Sequence, residues 1–277
     1  MKTLVTLIAM ATMTGCATYD DTFDWPDQAA TAIQTDPEAC SRQLGDNKHL
    51  PHDELNSTDI RIVNWNIQKG GDPEWMADLA TFTGEADLMI FQEVSLNRGD
   101  WDIIAVDHYR SFAPGYRTLR SQTGVMTLSS AMPLTQCKLV SVEPWLRSPK
   151  ATMITEYGLT DTDLTLLVVN IHAINFTFGI SDFKEQIERA LSVMNEHTGP
   201  MLLSGDFNTW HARQSEVLHR MTEHLGLKML EYEEDYRKRV FGQPLDHIYV
   251  RGLKVIAATT SRASSSDHNP MSARLSL

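Results

Sequence analysis

The chain has 277 residues, 42% of them hydrophobic, which is enough for one large domain or two small ones with a sizeable core. Its formal net charge is −12. That balance argues against a broad duplex-DNA footprint, which relies on Lys and Arg to neutralise phosphates, but leaves room for a small basic cleft.

Residues 1–16 read as a leader and not as part of the fold. Lys2 supplies the positive charge, and Leu4 to Met13 is an apolar run too short to span a bilayer. The run ends in Met13-Thr14-Gly15-Cys16. This resembles a bacterial lipobox, in which Cys16 would be lipidated, although Met13 replaces the usual Leu. Ala17 after it resembles lipoproteins sorted to an outer membrane, where the host has one. The expected state is exported and tethered to a membrane by lipid. Residues 17–58 are polar and acidic and read as a tether carrying one short helix after Pro26. With Cys16 lipidated, Cys40 and Cys137 remain, either as a disulfide or as two free thiols.

The folded domain is expected over residues 59–277. Ile60 to Ile67 alternates as a strand. Asp72-Pro73 reads as a helix start, with Trp75, Leu79 and Phe82 at helical spacing. Asp87 to Val94 is a second buried strand with Glu93 at its end. Tyr109–Tyr116, Gly124–Ser129, Leu134–Val140 and Ala151–Leu159 read as strands, and Leu164–Ile171 as a strong one. Ser181–Glu196 is an amphipathic helix. Met201 to Leu203 is a buried strand, Gly205 reads as a tight turn, and Asp206 and Asn208 project to one side. A helix follows over Ser215–Leu225. Pro244–Val250 is a strand, with Leu253–Thr260 paired to it or near it, and Met271–Leu277 is the last.

Asn66, Glu93, His172, Asn175, Asp206, Asn208, Asp246, Asp267 and His268 each lie at or just past the end of an apolar strand. Strand ends are where polar groups can converge on one cleft. A carboxylate there can take a proton from water, and an amide can donate to a phosphoryl oxygen. Each residue also has a plainer reading: His172 as a satisfied core histidine, Asp246 as a cap, the Asn and Asp residues as turn formers.

Six segments then carry a resemblance. Asn64-Trp65-Asn66-Ile67, Phe91-Gln92-Glu93, Asn170-Ile171-His172, Ser204-Gly205-Asp206-Phe207-Asn208, Leu245-Asp246-His247 and Ser266-Asp267-His268-Asn269-Pro270 occur in the order seen in the endonuclease/exonuclease/phosphatase superfamily. Gly124 to Ser129, Asn170 to Phe176 and Phe241 to Asp246 resemble its YafD-like branch. The resemblance implies a four-layer α/β sandwich, two mixed sheets face to face with helices outside. It implies Mg²⁺ or Mn²⁺ held by Glu93, with Asn66 and Asp267 close by. Asp206 and Asn208 would place or deprotonate water, Asp246 would orient His268, and His172 and Asn175 would contact phosphate. Either Asp206 or the His268–Asp246 pair is the base. Gln68 stands where some nucleases of the superfamily carry a metal-binding Asp.

The expected activity is a metal-dependent phosphoesterase acting as a monomer on a small molecule, a lipid headgroup or a nucleic acid. A nuclease is the nearest alternative. The alternative of another class is an envelope lipoprotein that binds a phosphate ligand without turnover.

Overall fold

The computed structural model describes residues 33–49, 52–98, 101–119, 121–177 and 179–277. The leader with Cys16, and residues 17–32 of the segment read as a tether, lie outside these residues. In chain order the helices are α1 (Pro37–Gln43), α2 (Trp75–Thr83), α3 (Trp101–Ile104), α4 (Ser181–Asn195) and α5 (Ala212–His224). The strands are β1 (Glu54–Leu55), β2 (Ile60–Asn66), β3 (Leu88–Ser95), β4 (Tyr109–Arg117), β5 (Gln122–Ser129), β6 (Thr135–Val142), β7 (Pro149–Leu159) and β8 (Thr165–His172). They continue with β9 (Met201–Asp206), β10 (Lys228–Met229), β11 (Arg239–Val240), β12 (Gln243–Pro244), β13 (Asp246–Arg251), β14 (Lys254–Thr260) and β15 (Met271–Ser276).

Two mixed sheets result. One runs β1-β7-β8-β9-β13-β10, with β6 also on β7; the other runs β14-β15-β2-β3-β5-β4. Side chains alternate along a strand, so each sheet offers two apolar faces to different neighbours. Ile60, Ile62, Leu88 and Ile90 of one sheet meet Leu166, Val168, Leu202 and Ile248 of the other in a central core. The alternate residues Leu167, Val169, Ile171 and Leu203 pack under α4 with Phe183, Ile187 and Met194. Val63, Trp65 and Phe91 pack outward against Trp75, Leu79 and Trp101 of α2 and α3. Helix, sheet, sheet, helix is the four-layer order expected.

The two sheets are also joined by polar contacts where the core approaches the strand ends. Gln92 Nε2 donates to Asn64 Oδ1 at 3.0 Å and to Asn170 Oδ1 at 2.8 Å. Asn170 Nδ2 donates back to the Phe91 and Met126 carbonyls. Buried amides are costly unless paired, so this bridge fixes which strand ends face each other.

Several boundaries differ from the sequence expectation. Residues 34–58 do not form a free tether: Gln34 bridges to Cys137, α1 packs on α4, and β1 extends the sheet parallel to β7. Cys40 and Cys137 are joined as a disulfide with Cα atoms 5.9 Å apart. Closing a 97-residue span makes this link one of the larger single contributions to stability, about 4–5 kcal/mol in the chain-entropy picture. α2 begins at Trp75, because Asp72 is spent accepting the Glu74 N–H in a turn. α5 begins at Ala212, three residues before the expected Ser215, and His211 and Gln214 form its capping box. Gly205 is not a turn; it lies inside β9, where a Cβ would collide with the Ile171 carbonyl. β14 pairs with β15 in the opposite sheet, not with β13, because Gly252 at φ +67° turns the chain across.

Candidate active site

Strand register builds the site. β8 and β9 run parallel with His172 opposite Asp206, and β9 and β13 run antiparallel with Asp206 opposite Asp246. Each of the three ends a row whose other members point between the sheets. The opposing sheet brings Asn66, at the end of its own inward row, to the same place: its Nδ2 donates to Asp206 Oδ2 at 3.0 Å.

Glu93 arrives by another route. Met89 and Phe91 point outward, so strict alternation would send Glu93 outward too and Val94 inward. Val94 instead packs outward with them. A bulge between Phe91 and Val94 shifts the pairing with β5, and Glu93 is the extra residue, held at φ +53°. A left-handed conformation at a non-glycine costs of order 1 kcal/mol or more and recurs at functional sites. Asn208, at φ +50°, is a second instance.

His268 is positioned from three sides. The Trp65 indole donates to its carbonyl at 2.9 Å, its own N–H donates to Ser266 Oγ, and Nδ1 lies 2.8 Å from Asp246 Oδ2. Its Nε2 is 3.9 Å from Asp206 Oδ2. Burial pushes the imidazole pKa down, but the Asp246 and Asp206 carboxylates outweigh it and raise it to about 10. Asp206 itself is raised by burial against the pull of His268. Its Oδ1 accepts the Asn208 N–H at 2.9 Å. Asn208 in turn donates its side-chain amide to the Ala173 carbonyl, so it braces the turn rather than facing the opening.

His172 does not present a donor at its Nε2. Its Nε2 lies 2.8 Å from Lys150 Nζ, so on that edge the histidine accepts. Burial, then Lys150, holds its pKa well below the usual value. Asn175 presents its backbone N–H to Glu143 Oε1 at 2.8 Å. Glu143, which is buried, also accepts from Phe176 N and Ser148 Oγ and so pins the loop after β8.

The three expected metal ligands are not gathered at one point. Asn66 Oδ1 accepts the Gln68 N–H, Glu93 Oε2 lies 3.5 Å from Lys69 Nζ, and Asp267 Oδ2 lies 4.0 Å from Lys238 Nζ. Each carboxylate has taken the nearest ammonium. Among the described residues, Asp206, Asp246 and His268 have ligand atoms within 4.8 Å of one another. His268 stands between the two carboxylates, with Asp246 at Nδ1 and Asp206 facing Nε2. Glu93 is a partly exposed carboxylate in a cleft of about 250 Å³ with Lys69, Tyr116, Ser148, Lys150 and His172. The Glu93 and Asp267 carboxylates and the Asn66 carboxamide offer oxygens, the donors a hard divalent cation takes, and such an ion would replace Lys69 at Glu93.

The endonuclease/exonuclease/phosphatase family model matches residues 63–268. The chain belongs to that family. Among solved structures of this fold, the human Nocturnin catalytic domain is 14% identical, with 82% of this chain and 97% of that chain covered and a TM-score of 0.61. An endonuclease/exonuclease/phosphatase protein from Bacteroides vulgatus is 17% identical over 79% and 99%, with a TM-score of 0.62. A mannosyl-6-phosphatase from Bacteroides thetaiotaomicron is 13% identical over 79% and 100%, with a TM-score of 0.60. Members of the family hydrolyse phosphoesters.

Sequence reasoning missed Lys69, Lys150, Gln92 and Glu143 as contributors. Glu143 and Lys150 carried no signal, since neither sits in a recognisable motif. Gln92 lay inside a quoted motif, and its place on the inward row was readable from strand alternation.

Two histidines of opposite charge give a pH prediction. His247, just behind the site, donates Nε2–H to Thr209 Oγ1, while Nδ1 faces Arg237. Burial, then Arg237, lowers it to about 3. Between pH 3 and 6.5 the unfolded chain therefore binds a proton there that the folded chain refuses, so stability falls on acidification. His268 has the opposite sign: between pH 6.5 and 10 the folded chain keeps a proton the unfolded chain has lost, so stability falls on alkalinisation. Urea unfolding in EDTA from pH 5 to 9 is expected to show a maximum near roughly pH 6.5. His268→Gln is expected to flatten the alkaline side only; an unchanged alkaline slope in that variant would refute the charged assignment.

Proposed function

We propose that the protein is a metal-dependent phosphoesterase, exported and anchored by lipid at Cys16. The observation that carries the catalytic reading is the row His172–Asp206–Asp246 in one sheet, faced by Asn66 and Glu93 from the other. Glu93, with Asn66 and Asp267, would hold Mg²⁺ or Mn²⁺. A divalent cation there would polarise a phosphoryl oxygen.

The chain's own residues then have distinct tasks. Asp206 Oδ2 takes the proton of the attacking water; its raised pKa makes it a better base than a solvated carboxylate. Asn66 and the Asn208 N–H hold that carboxylate in place and are positioning residues. Asp246 fixes the His268 ring by its Nδ1, which leaves Nε2–H to donate to the phosphoryl oxygen as negative charge grows. His172, its Nε2 held by Lys150, faces the same group. Asn175 lines the loop that flanks it. The family match and the mannosyl-6-phosphatase of the same fold support phosphoester chemistry without choosing the substrate. The net charge of −12 favours a small phosphate ester over duplex nucleic acid.

His268→Ala is expected to lower kcat by about 10²–10⁴ while leaving metal affinity nearly unchanged. Glu93→Gln is expected to weaken metal binding, with activity partly recovered at high Mg²⁺. Asp246→Asn should resemble a milder His268→Ala, and the double variant should be little worse than His268→Ala, because the pair acts as a unit. Kinetics on a panel of phosphodiesters and monoesters, with metal titrated, reads all four. Multiplicative losses in the Asp246/His268 cycle would sink the paired assignment. No turnover on any member with metal bound would sink the enzyme reading.

For localisation, the Cys40–Cys137 disulfide supports an oxidising compartment. Cys16→Ser is expected to move the protein from the membrane fraction to the soluble fraction; a variant that stays in the pellet would end the lipid-anchor reading.

A further inference from the structure

The cleft beside Glu93 and His172 holds two lysines, Lys69 and Lys150. Lys69 is paired with Glu93 at 3.5 Å. Lys150 reaches His172 Nε2 at 2.8 Å, and among the described residues no carboxylate pairs with it. An ammonium in a half-enclosed cleft with only a neutral partner has unmet capacity for an anion, since Lys carries three donors and no acceptor. The cleft is shaped for one. A bulge between Pro114 and Arg117 carries Gly115 and Tyr116 out of register with β5. Tyr116 is half exposed and lines the cleft with Lys150. Gly124 also lines it, at a place where β4 and β5 approach so closely that a Cβ would strike the Ala113 carbonyl. This bulge and the one that frees Glu93 lie on the two strands flanking β5, and both border the same space. At about 250 Å³ the cleft is smaller than the roughly 300–1,000 Å³ of a pocket that encloses a whole drug-sized ligand. It suits one charged group and part of what carries it.

We propose that this cleft takes a second phosphate of the substrate, held by Lys150, with Tyr116 against the organic moiety between the two phosphates. The substrate class is then a phosphate ester that carries a further phosphoryl group nearby. This rests on the phosphoesterase reading above. Lys150 acts here as a specificity determinant, and its contact with His172 is a separate role that the test must separate.

Two chromogenic diesters separate them: thymidine 5′-(4-nitrophenyl phosphate) and the same compound phosphorylated at the 3′ position. The readout is the ratio of their kcat/KM values with the full chain in Mg²⁺. The wild type is expected to prefer the 3′-phosphorylated probe, and Lys150→Met to reduce that preference by about ten- to hundredfold, the size of one charge-assisted hydrogen bond. Lys150→Arg should retain most of it. Equal losses on both probes, or no preference in the wild type, would overturn the proposal and leave Lys150 as an aid to His172. If neither probe turns over in Mg²⁺ or Mn²⁺, the phosphoesterase reading is judged on the wider panel above and calorimetry in EDTA decides the anion site. Thymidine 3′,5′-bisphosphate binding more tightly than thymidine 5′-monophosphate, with the difference lost in Lys150→Met, would uphold it; equal affinities would overturn it.

Discussion

His172, Asp206 and Asp246 stand side by side because three strands are hydrogen-bonded in one register. A slip of one residue in either pairing would send an entire row to the opposite face. Leu166, Val168, Leu202 and Ile248 belong to the same rows and are buried between the sheets, so burial of the core locks the register that aligns the catalytic groups. Stability and function are thus fixed by the same contacts over most of these strands. They part only at the strand ends, where the apolar rows give way to Asn64, Gln92 and Asn170 and then to the site.

That polar layer explains how a site made from two sheets keeps its geometry. Gln92 and Asn170 join the sheets just beneath it, and Asn66 reaches across to Asp206 one step further out. The residues that depart from strand geometry, Glu93 and Asn208, do so with positive φ. Each departure puts a polar group where regular alternation could not. The conformational cost is borne by a scaffold whose remaining strands are regular and well buried.

Much of this was legible in the sequence, for a definite reason. Apolar runs such as Leu166–Ile171 and Met201–Leu203 mark strands buried on both faces, and the polar residue that ends each run marks the cleft. The order of the six motifs carried the family. What escaped was whatever depends on pairing across the chain. Glu93 read as the end of a strand, but β3 continues to Ser95 and Glu93 is a bulge within it, which only its partner β5 reveals. Gly205 read as a turn because its true neighbour, Ile171, is 34 positions away in sequence. The polar segment before residue 59 read as a tether because neither the disulfide to Cys137 nor the pairing of β1 leaves a local pattern. Lys150 escaped because a lysine at a strand start is ordinary until His172 is seen beside it.

The central claim is that Asp206 lies between two imidazoles in opposite protonation states, His268 charged and His172 neutral. ¹⁵N and ¹³C NMR of the histidine-labelled protein in EDTA, between pH 5.5 and 8.5, tests it most directly, with His268→Gln and His172→Gln used for assignment. The account predicts imidazolium shifts at both nitrogens of His268 and neutral-tautomer shifts for His172, with neither ring titrating across the range. A His268 resonance that titrates near pH 6.5, or a His172 that is protonated at neutral pH, would contradict it.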